Sequence, residues 1–331
     1  MTKRNIKTKS GLQSTKKSIN EMEFSKELGT ESKSAKRQNL TDVGNKELTE
    51  MGQTKTAPFF YGAGSRRAKN VCIERTIRMP SFIYEDTKIF YETMGKGVPI
   101  IFIHPPAMGR KVFYYQGLLA EHFQVVFPDL SGNGDTAGPE TTVTIQGYAE
   151  EIKAVLDHLD IEKAVILGYS SGGIIAQEFA LSYPERALGV ILSGGFPEVL
   201  SETFKYEHIL GMYFVKHFPG FLRYIIASSH TNDKKVRDEI LEHMKKANHT
   251  MWFQFYDRSL HYSCTDRLRN LSVPLLLIYG SRDFVNQHIR SYRRYVSFQA
   301  AIIKGVSHQV PTKKWQLFNQ VVTGFVQQHF K

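Results

Sequence analysis

A serine, an aspartate and a histidine, each following an apolar run, are of the types that together transfer acyl groups. The serine lies in Val165-Ile166-Leu167-Gly168-Tyr169-Ser170-Ser171-Gly172-Gly173, which carries the pattern Gly-x-Ser-x-Gly. Two glycines and a serine at this spacing recur in roughly one chain in ten of this size, so position must supply the weight. A buried strand enters the pattern and a helix, Ile174 to Ala180, leaves it. A strand-to-helix turn that sharp exposes the hydroxyl, and small residues two places to either side let the backbone close round it. The free N–H groups at the head of the helix, beginning with Ser171, favour negative charge beside that hydroxyl.

Serine is a poor nucleophile at neutral pH without a base, and the base needs a group to orient it. The apolar run Pro274–Tyr279 ends in Gly280-Ser281-Arg282-Asp283, and Ala300–Ile303 ends in Lys304-Gly305-Val306-Ser307-His308. Both side chains therefore fall just beyond a strand's carboxyl end, where open α/β sheets place their sites. Taken singly, Asp283 reads as a turn residue and His308 as a surface histidine. The order Ser170, Asp283, His308 is what gives the three their meaning.

The elements that must position them follow from periodicity. Phe82–Tyr84 and Lys88–Tyr91 read as two strands joined by a turn at Glu85-Asp86-Thr87. Short apolar runs at Pro99–His104, Phe123–Phe127, Ala164–Leu167, Leu188–Leu192, Pro274–Tyr279 and Ala300–Ile303 predict strands buried on both faces. Helical stretches lie between them at Gly109–Glu121, Thr144–Leu159, Gly172–Ser182, Phe284–Val296 and Lys313–Phe330. This alternation predicts an α/β fold, a mostly parallel sheet flanked by helices. It breaks between Phe196 and Asn270, where aromatic clusters predict an all-helical insert, a cap or lid over about 197–270.

From about residue 80 to 331 the chain resembles the α/β-hydrolase family, in its serine-nucleophile form with a helical cap. Asp129-Leu130-Ser131-Gly132-Asn133-Gly134-Asp135-Thr136 is similar to the Asp-x-x-Gly-x-Gly-x-Ser/Thr loop of these enzymes. The resemblance implies a hydrolase that carries out acyl transfer to water with no cofactor. Ser170 would be the nucleophile, His308 the base and Asp283 the orienting acid. The apolar cap suggests a small or medium carboxylic ester or lactone as substrate, in a pocket that includes Tyr169 and Trp252. The serine argues against dehalogenation and the usual epoxide hydrolysis, which need a carboxylate nucleophile.

One departure matters. Where the family has His-Gly-x, this chain has His104-Pro105-Pro106-Ala107-Met108-Gly109. Proline has no N–H, so Pro106 cannot be the oxyanion donor that the resemblance assigns. Ser171 remains, with Ala107, or Met108, as second donor in a shifted turn or beside a cis proline. Losing one such donor costs on the order of 10²–10³ in turnover. A ligand-binding or regulatory member of the fold therefore stands as an alternative, as does a cofactor-free haloperoxidase or carbon–carbon bond hydrolase.

Composition narrows the rest. The chain has 331 residues, 41% hydrophobic and 12% aromatic, which excludes a wholly disordered protein. No run of 18 apolar residues exists, and Met1–Ser10 has no apolar stretch behind it to make a secretory signal. Cys72 and Cys264 make no disulfide framework, and 12 histidines form no His-Glu-x-x-His metal motif. Gly132, Gly134 and Gly138 are misplaced for a dinucleotide loop. A cytoplasmic protein acting on a small molecule is expected, without a specific nucleic-acid partner or stable membrane insertion. Its oligomeric state is open.

Net charge is +11, but residues 1–78 hold 17 Lys and Arg against 8 Asp and Glu, leaving only +2 for the remainder. That front segment, rich in Lys, Ser, Thr, Gln and Asn, reads as a disordered tail. Met79-Pro80-Ser81-Phe82 is a candidate true start, since Glu74-Arg75 is encodable by a ribosome-binding sequence. Phe204–Ser228 mixes aromatics with Lys205, Lys216 and Arg223, and reads as a lid over a pocket rather than a helix lying on a membrane.

Overall fold

The computed structural model describes residues 80–138 and 142–330, and the backbone of 22–27. Strands β1 (Met22–Glu27), β2 (Ser81–Tyr84), β3 (Thr87–Met94), β4 (Pro99–Ile103), β5 (Gln124–Pro128), β6 (Ala164–Tyr169), β7 (Ala187–Ser193), β8 (Leu275–Gly280) and β9 (Phe298–Ile303) form one sheet. Its order is β1-β9-β8-β7-β6-β4-β5-β3-β2. The six strands β4 to β9 run parallel, and the β2–β3 hairpin joins antiparallel at the β5 edge. This is the expected α/β architecture. Within the segment read as a disordered tail, Met22–Glu27 pairs antiparallel with β9. The rest of that segment, Met79 included, lies outside the described residues.

Residues 100–103 of β4 and all of β6 are buried, as continuous apolar runs demand. Apolar side chains pack on both faces of the sheet. One cluster includes Ile152, Phe179 and Tyr292, and the other includes Phe113, Phe318 and Phe325. Helix α1 (Ile145–His158) is capped by Thr144, whose hydroxyl accepts the Gly147 N–H at 2.9 Å. It buries Ile152, Val155 and Leu156, which fall on one face of the helix. Helix α2 (Gly172–Ser182) follows β6 and is buried along most of its length.

One of the expected helices, and the first turns of another, are wound differently. Arg110–Glu121 is a 3-10 segment with a kink at Phe113. Arg110, Phe113, Gln116 and Leu119 are all buried, a repeat of three residues that matches the 3-10 turn, with Val112 buried beside them. Phe284–His288 is also a 3-10 turn, because Asp283 accepts the Val285 N–H at 3.0 Å and tightens the start.

Between β7 and β8 run four α-helices, α3 (Glu202–His217), α4 (Pro219–His230), α5 (Lys234–Met244) and α6 (His249–His261), followed by a 3-10 helix at Thr265–Asn270. Ser201, Asp233 and Asn248 cap three of them with side-chain oxygens, and Pro219 opens α4. The chain closes with α7 (Ile289–Tyr295), the single turn α8 (Val310–Lys313) and α9 (Trp315–His329). Among the described residues, no helix is long and apolar enough to cross a membrane.

A buried ionic hub ties the insert to the loops at the sheet's carboxyl edge. Asp129, beyond β5, is paired with the Arg110 guanidinium and accepts the Arg110 N–H at 2.7 Å and the Asp135 N–H at 2.9 Å. His243 of α5 donates to it at 3.0 Å. Arg110 also pairs with Glu92 and Asp135, both at 2.8 Å. Burial would raise the Asp129 pKa, but the His243 hydrogen bond and the Arg110 charge prevail and hold it at about 2. A depressed carboxylate pKa contributes stability that is complete above about pH 4 and lost as pH falls towards 2. Asp129→Asn is expected to cost about 3–5 kcal/mol in urea unfolding at neutral pH. The gap from wild type should narrow as the pH of the measurement approaches 2. A neutral-pH loss below about 1 kcal/mol, the range of an exposed pair, would show that the hub holds little together.

Candidate active site

Ser170 stands between β6 and α2 at φ 53°, a left-handed conformation that non-glycine residues rarely adopt. Its N–H donates to the Ser193 carbonyl at 2.7 Å. The flanking glycines are required by close approach. A Cβ on Gly168 would lie 2.6 Å from the Gly173 Cα, and one on Gly172 would lie 2.4 Å from the Ile103 carbonyl oxygen. Only a backbone without side chains on both sides of Ser170 fits so tight a turn.

The loops after β8 and β9 bring the other two residues to it. His308 Nε2 is 2.7 Å from Ser170 Oγ, and His308 Nδ1 is 2.9 Å from Asp283 Oδ2. A carboxylate only accepts, so Nδ1 carries the proton and Nε2 turns its lone pair towards the serine hydroxyl. Asp283 is buried, and its other oxygen is fixed by the Val285 N–H. Burial would lower the His308 pKa, but the Asp283 hydrogen bond and charge, with the charge of Glu207, outweigh it and raise the value.

A cavity of about 450 Å³ opens at Ser170. Pro106, Phe204, Phe214, Leu222 and Ile226 form much of its wall, and Glu207, His208, Ser229, His230 and Gln309 are among its polar members. Burial raises the Glu207 pKa, with His308 opposing the shift. Tyr169 lines the cavity, stacks beside His308 with ring centres 5.6 Å apart, and donates its hydroxyl to His230 Nε2 at 3.0 Å. His230 Nδ1 donates to the Ile226 carbonyl, which leaves Nε2 as the acceptor; burial holds this imidazole at about 4 and so neutral.

Two expected positions need correction. Trp252 does not line the cavity: its indole is buried in the apolar cluster with Ile240 and Met244, and Tyr256, one turn later on α6, reaches the wall instead. Ala107 does not offer a free N–H, because it donates to Asn133 Oδ1 at 2.6 Å. The Asn133 amide orientation is fixed by its NH₂, which donates to the Leu130 and Ser131 carbonyls. The Met108 N–H is turned to the Pro105 carbonyl, and no peptide bond among the described residues is cis. The Ser171 N–H, by contrast, has no acceptor among the described residues. His104 braces this turn, with Nδ1 donating to the Pro105 carbonyl and Nε2 accepting from the Leu130 N–H. Burial lowers its pKa to about 4.

Asp129, Asp135 and His243 bring potential metal-ligand atoms within 4.8 Å of one another. Arg110 already pairs with both carboxylates, and Lys246 with Asp135, so a cation there would have to displace cations of the protein itself.

The profile of the alpha/beta hydrolase fold matches residues 98–239. The chain is similar to an uncharacterised protein of Mycobacterium bovis, 28% identical over 149 residues that cover 43% of each chain, so it spans under half of that relative's length. It is also similar to a non-heme chloroperoxidase of Streptomyces lividans, 25% identical over 229 residues, 61% of this chain and 80% of that one. A thermophilic esterase from Thermogutta terrifontis superposes with a TM-score of 0.64 at 21% identity, over 76% of this chain and 98% of the other. At such identity the structural likeness concerns the fold.

The geometry predicts a His308 titration midpoint, read from its imidazole resonances, above the ordinary value of about 6.5. Any reaction that needs the neutral ring is then lost as pH falls through that raised midpoint. Asp283→Asn should move the midpoint down, and Glu207→Gln should move it down by less. A midpoint unchanged by Asp283→Asn would mean that the two groups are not coupled.

Proposed function

We propose, for a chain that belongs to the α/β-hydrolase fold family, hydrolysis of a small or medium apolar carboxylic ester or lactone by acyl transfer through Ser170. The supporting observation is the position of His308, within hydrogen-bond reach of both Ser170 and Asp283. His308 Nε2 takes the hydroxyl proton as Ser170 Oγ attacks the carbonyl carbon. Asp283 holds the proton on Nδ1 and steadies the imidazolium that forms. The tetrahedral oxyanion meets the Ser171 N–H at the head of α2. Collapse releases the alcohol, which takes the proton back from His308. Water activated by the same nitrogen then cleaves the acyl-serine.

In this reading residues 79–331 form one hydrolase domain behind a basic tail, and the helices within about 197–270 act as its cap, giving the cavity its apolar wall. Cysteine usage fits a cytoplasmic setting, since Cys264 is a buried free thiol. A second reading, a member that binds its ligand without turnover, is favoured by the Ala107 N–H being committed to Asn133. The similarity to a chloroperoxidase keeps a peroxide-dependent use of the same three residues in view.

A screen over p-nitrophenyl esters of increasing chain length tests the proposal. Turnover is expected for at least the short and medium chains, and Ser170→Ala should lower kcat by about 10³-fold or more with the unfolding midpoint unchanged. Activity that survives Ser170→Ala, or none in the wild type on any ester, would contradict it. Pro106→Ala returns an N–H beside the cavity and should raise kcat by roughly tenfold or more. No change there would mean that a second donor is not what limits the rate.

A further inference from the structure

Helices α3 and α4 present large apolar side chains both to the cavity and to solvent. Leu210 and Phe214 of α3 and Leu222 and Ile226 of α4 wall the cavity. On the outer side Tyr206, Ile209 and Tyr213 of α3, Phe218 at the junction, and Phe221, Tyr224 and Ile225 of α4 stand in solvent. Tyr206 is 65% exposed and Phe221 57%. Their spacing, 206-209-213 and 218-221-225, keeps each set on one helix face. With side chains of this size half exposed, the bare surface is on the order of 700 Å², above the largest patch of a typical monomer.

We propose that this outer face of α3 and α4 is a docking surface for an anionic lipid bilayer, on which the protein lies peripherally. Charge favours this occupant. No acidic residue occurs between Glu207 and Asp233, and the net charge of the chain is +11. Lys216 has no ion-pair partner among the described residues. A second copy seated on the same face would set Lys216 and a net charge of +11 against their own kind, while a bilayer of anionic headgroups offers a counter-charge. Tyrosine and phenylalanine side chains suit the headgroup boundary, where an apolar ring is buried and a phenol stays wet. The surplus of positive charge in residues 1–78 adds attraction of the same sign. The surface stands independently of the hydrolase reading. If both hold, the helices that meet the lipid with one face meet the substrate with the other.

Co-sedimentation of the full chain with phosphatidylcholine vesicles, pure or with about a third phosphatidylserine, tests the assignment. The wild type is expected to pellet with the anionic vesicles and to retain part of that binding when salt is raised several-fold. A Tyr213→Ser, Phe221→Ser, Ile225→Ser variant, whose positions do not line the cavity, should bind at least about tenfold more weakly with its far-ultraviolet spectrum and unfolding midpoint kept. Absence of pelleting would overturn the proposal. So would pelleting that the triple variant retains, which would assign binding to the basic tail. Sedimentation velocity covers the remaining case: a wild-type dimer that the triple variant makes monomeric, with no vesicle binding, would give the face to a second copy.

Discussion

The site depends on one constraint: Ser170 is held at positive φ in a turn so tight that its neighbouring glycines touch backbone. Strain of this kind, of order 1–3 kcal/mol, persists only where the surroundings leave no alternative. Here β6 is buried along its whole length and α2 is packed from its first residue, so the turn between them cannot relax into either. The hydroxyl is thereby presented at the carboxyl edge of the sheet. The loops after β8 and β9 end at the same edge because their strands are parallel to β6 and close to it in order. Ser170, Asp283 and His308 are 113 and 25 residues apart in the chain, yet the sheet makes them neighbours.

The second organising feature is the mesh of polar contacts under the cavity. Asp129 gathers Arg110, Asp135 and His243, while Asn133 gathers Ala107, Leu130 and Ser131. These bonds fix the Pro105-Pro106 turn without a cis peptide, and they do so by using the Ala107 N–H. Rigidity of the turn and supply of oxyanion donors are thus in competition. In the proposed acyl transfer, a chain that commits this N–H to Asn133 and has proline at the preceding position would leave Ser171 to carry more of the developing charge.

The strands, the serine turn and the positions of Asp283 and His308 were legible in the sequence because each rests on local pattern: a buried apolar run, a glycine spacing, a residue just past a strand end. What escaped was decided by contacts distant in sequence. Nothing near Ala107 announces that Asn133, 26 residues on, takes its N–H. Trp252 and Tyr256 lie one turn apart on α6, and which of them reaches the cavity depends on how that helix is seated. The period of three in Arg110–Glu121 was present in the residues, but an α-helical period is compatible with the same run. In α3 and α4 the density of aromatics suggested a lid, and only the fold separates the side chains that face the cavity from those that face out. Glu207 and His230 gain chemical meaning only from the cavity they share with His308.

The most direct measurement of the central claim is covalent labelling with a fluorophosphonate, followed by intact mass and peptide mapping. The account predicts one adduct per chain, on Ser170, formed more slowly as pH falls through the raised His308 midpoint and absent in Ser170→Ala. Failure to label, or an adduct on any other residue, would contradict it.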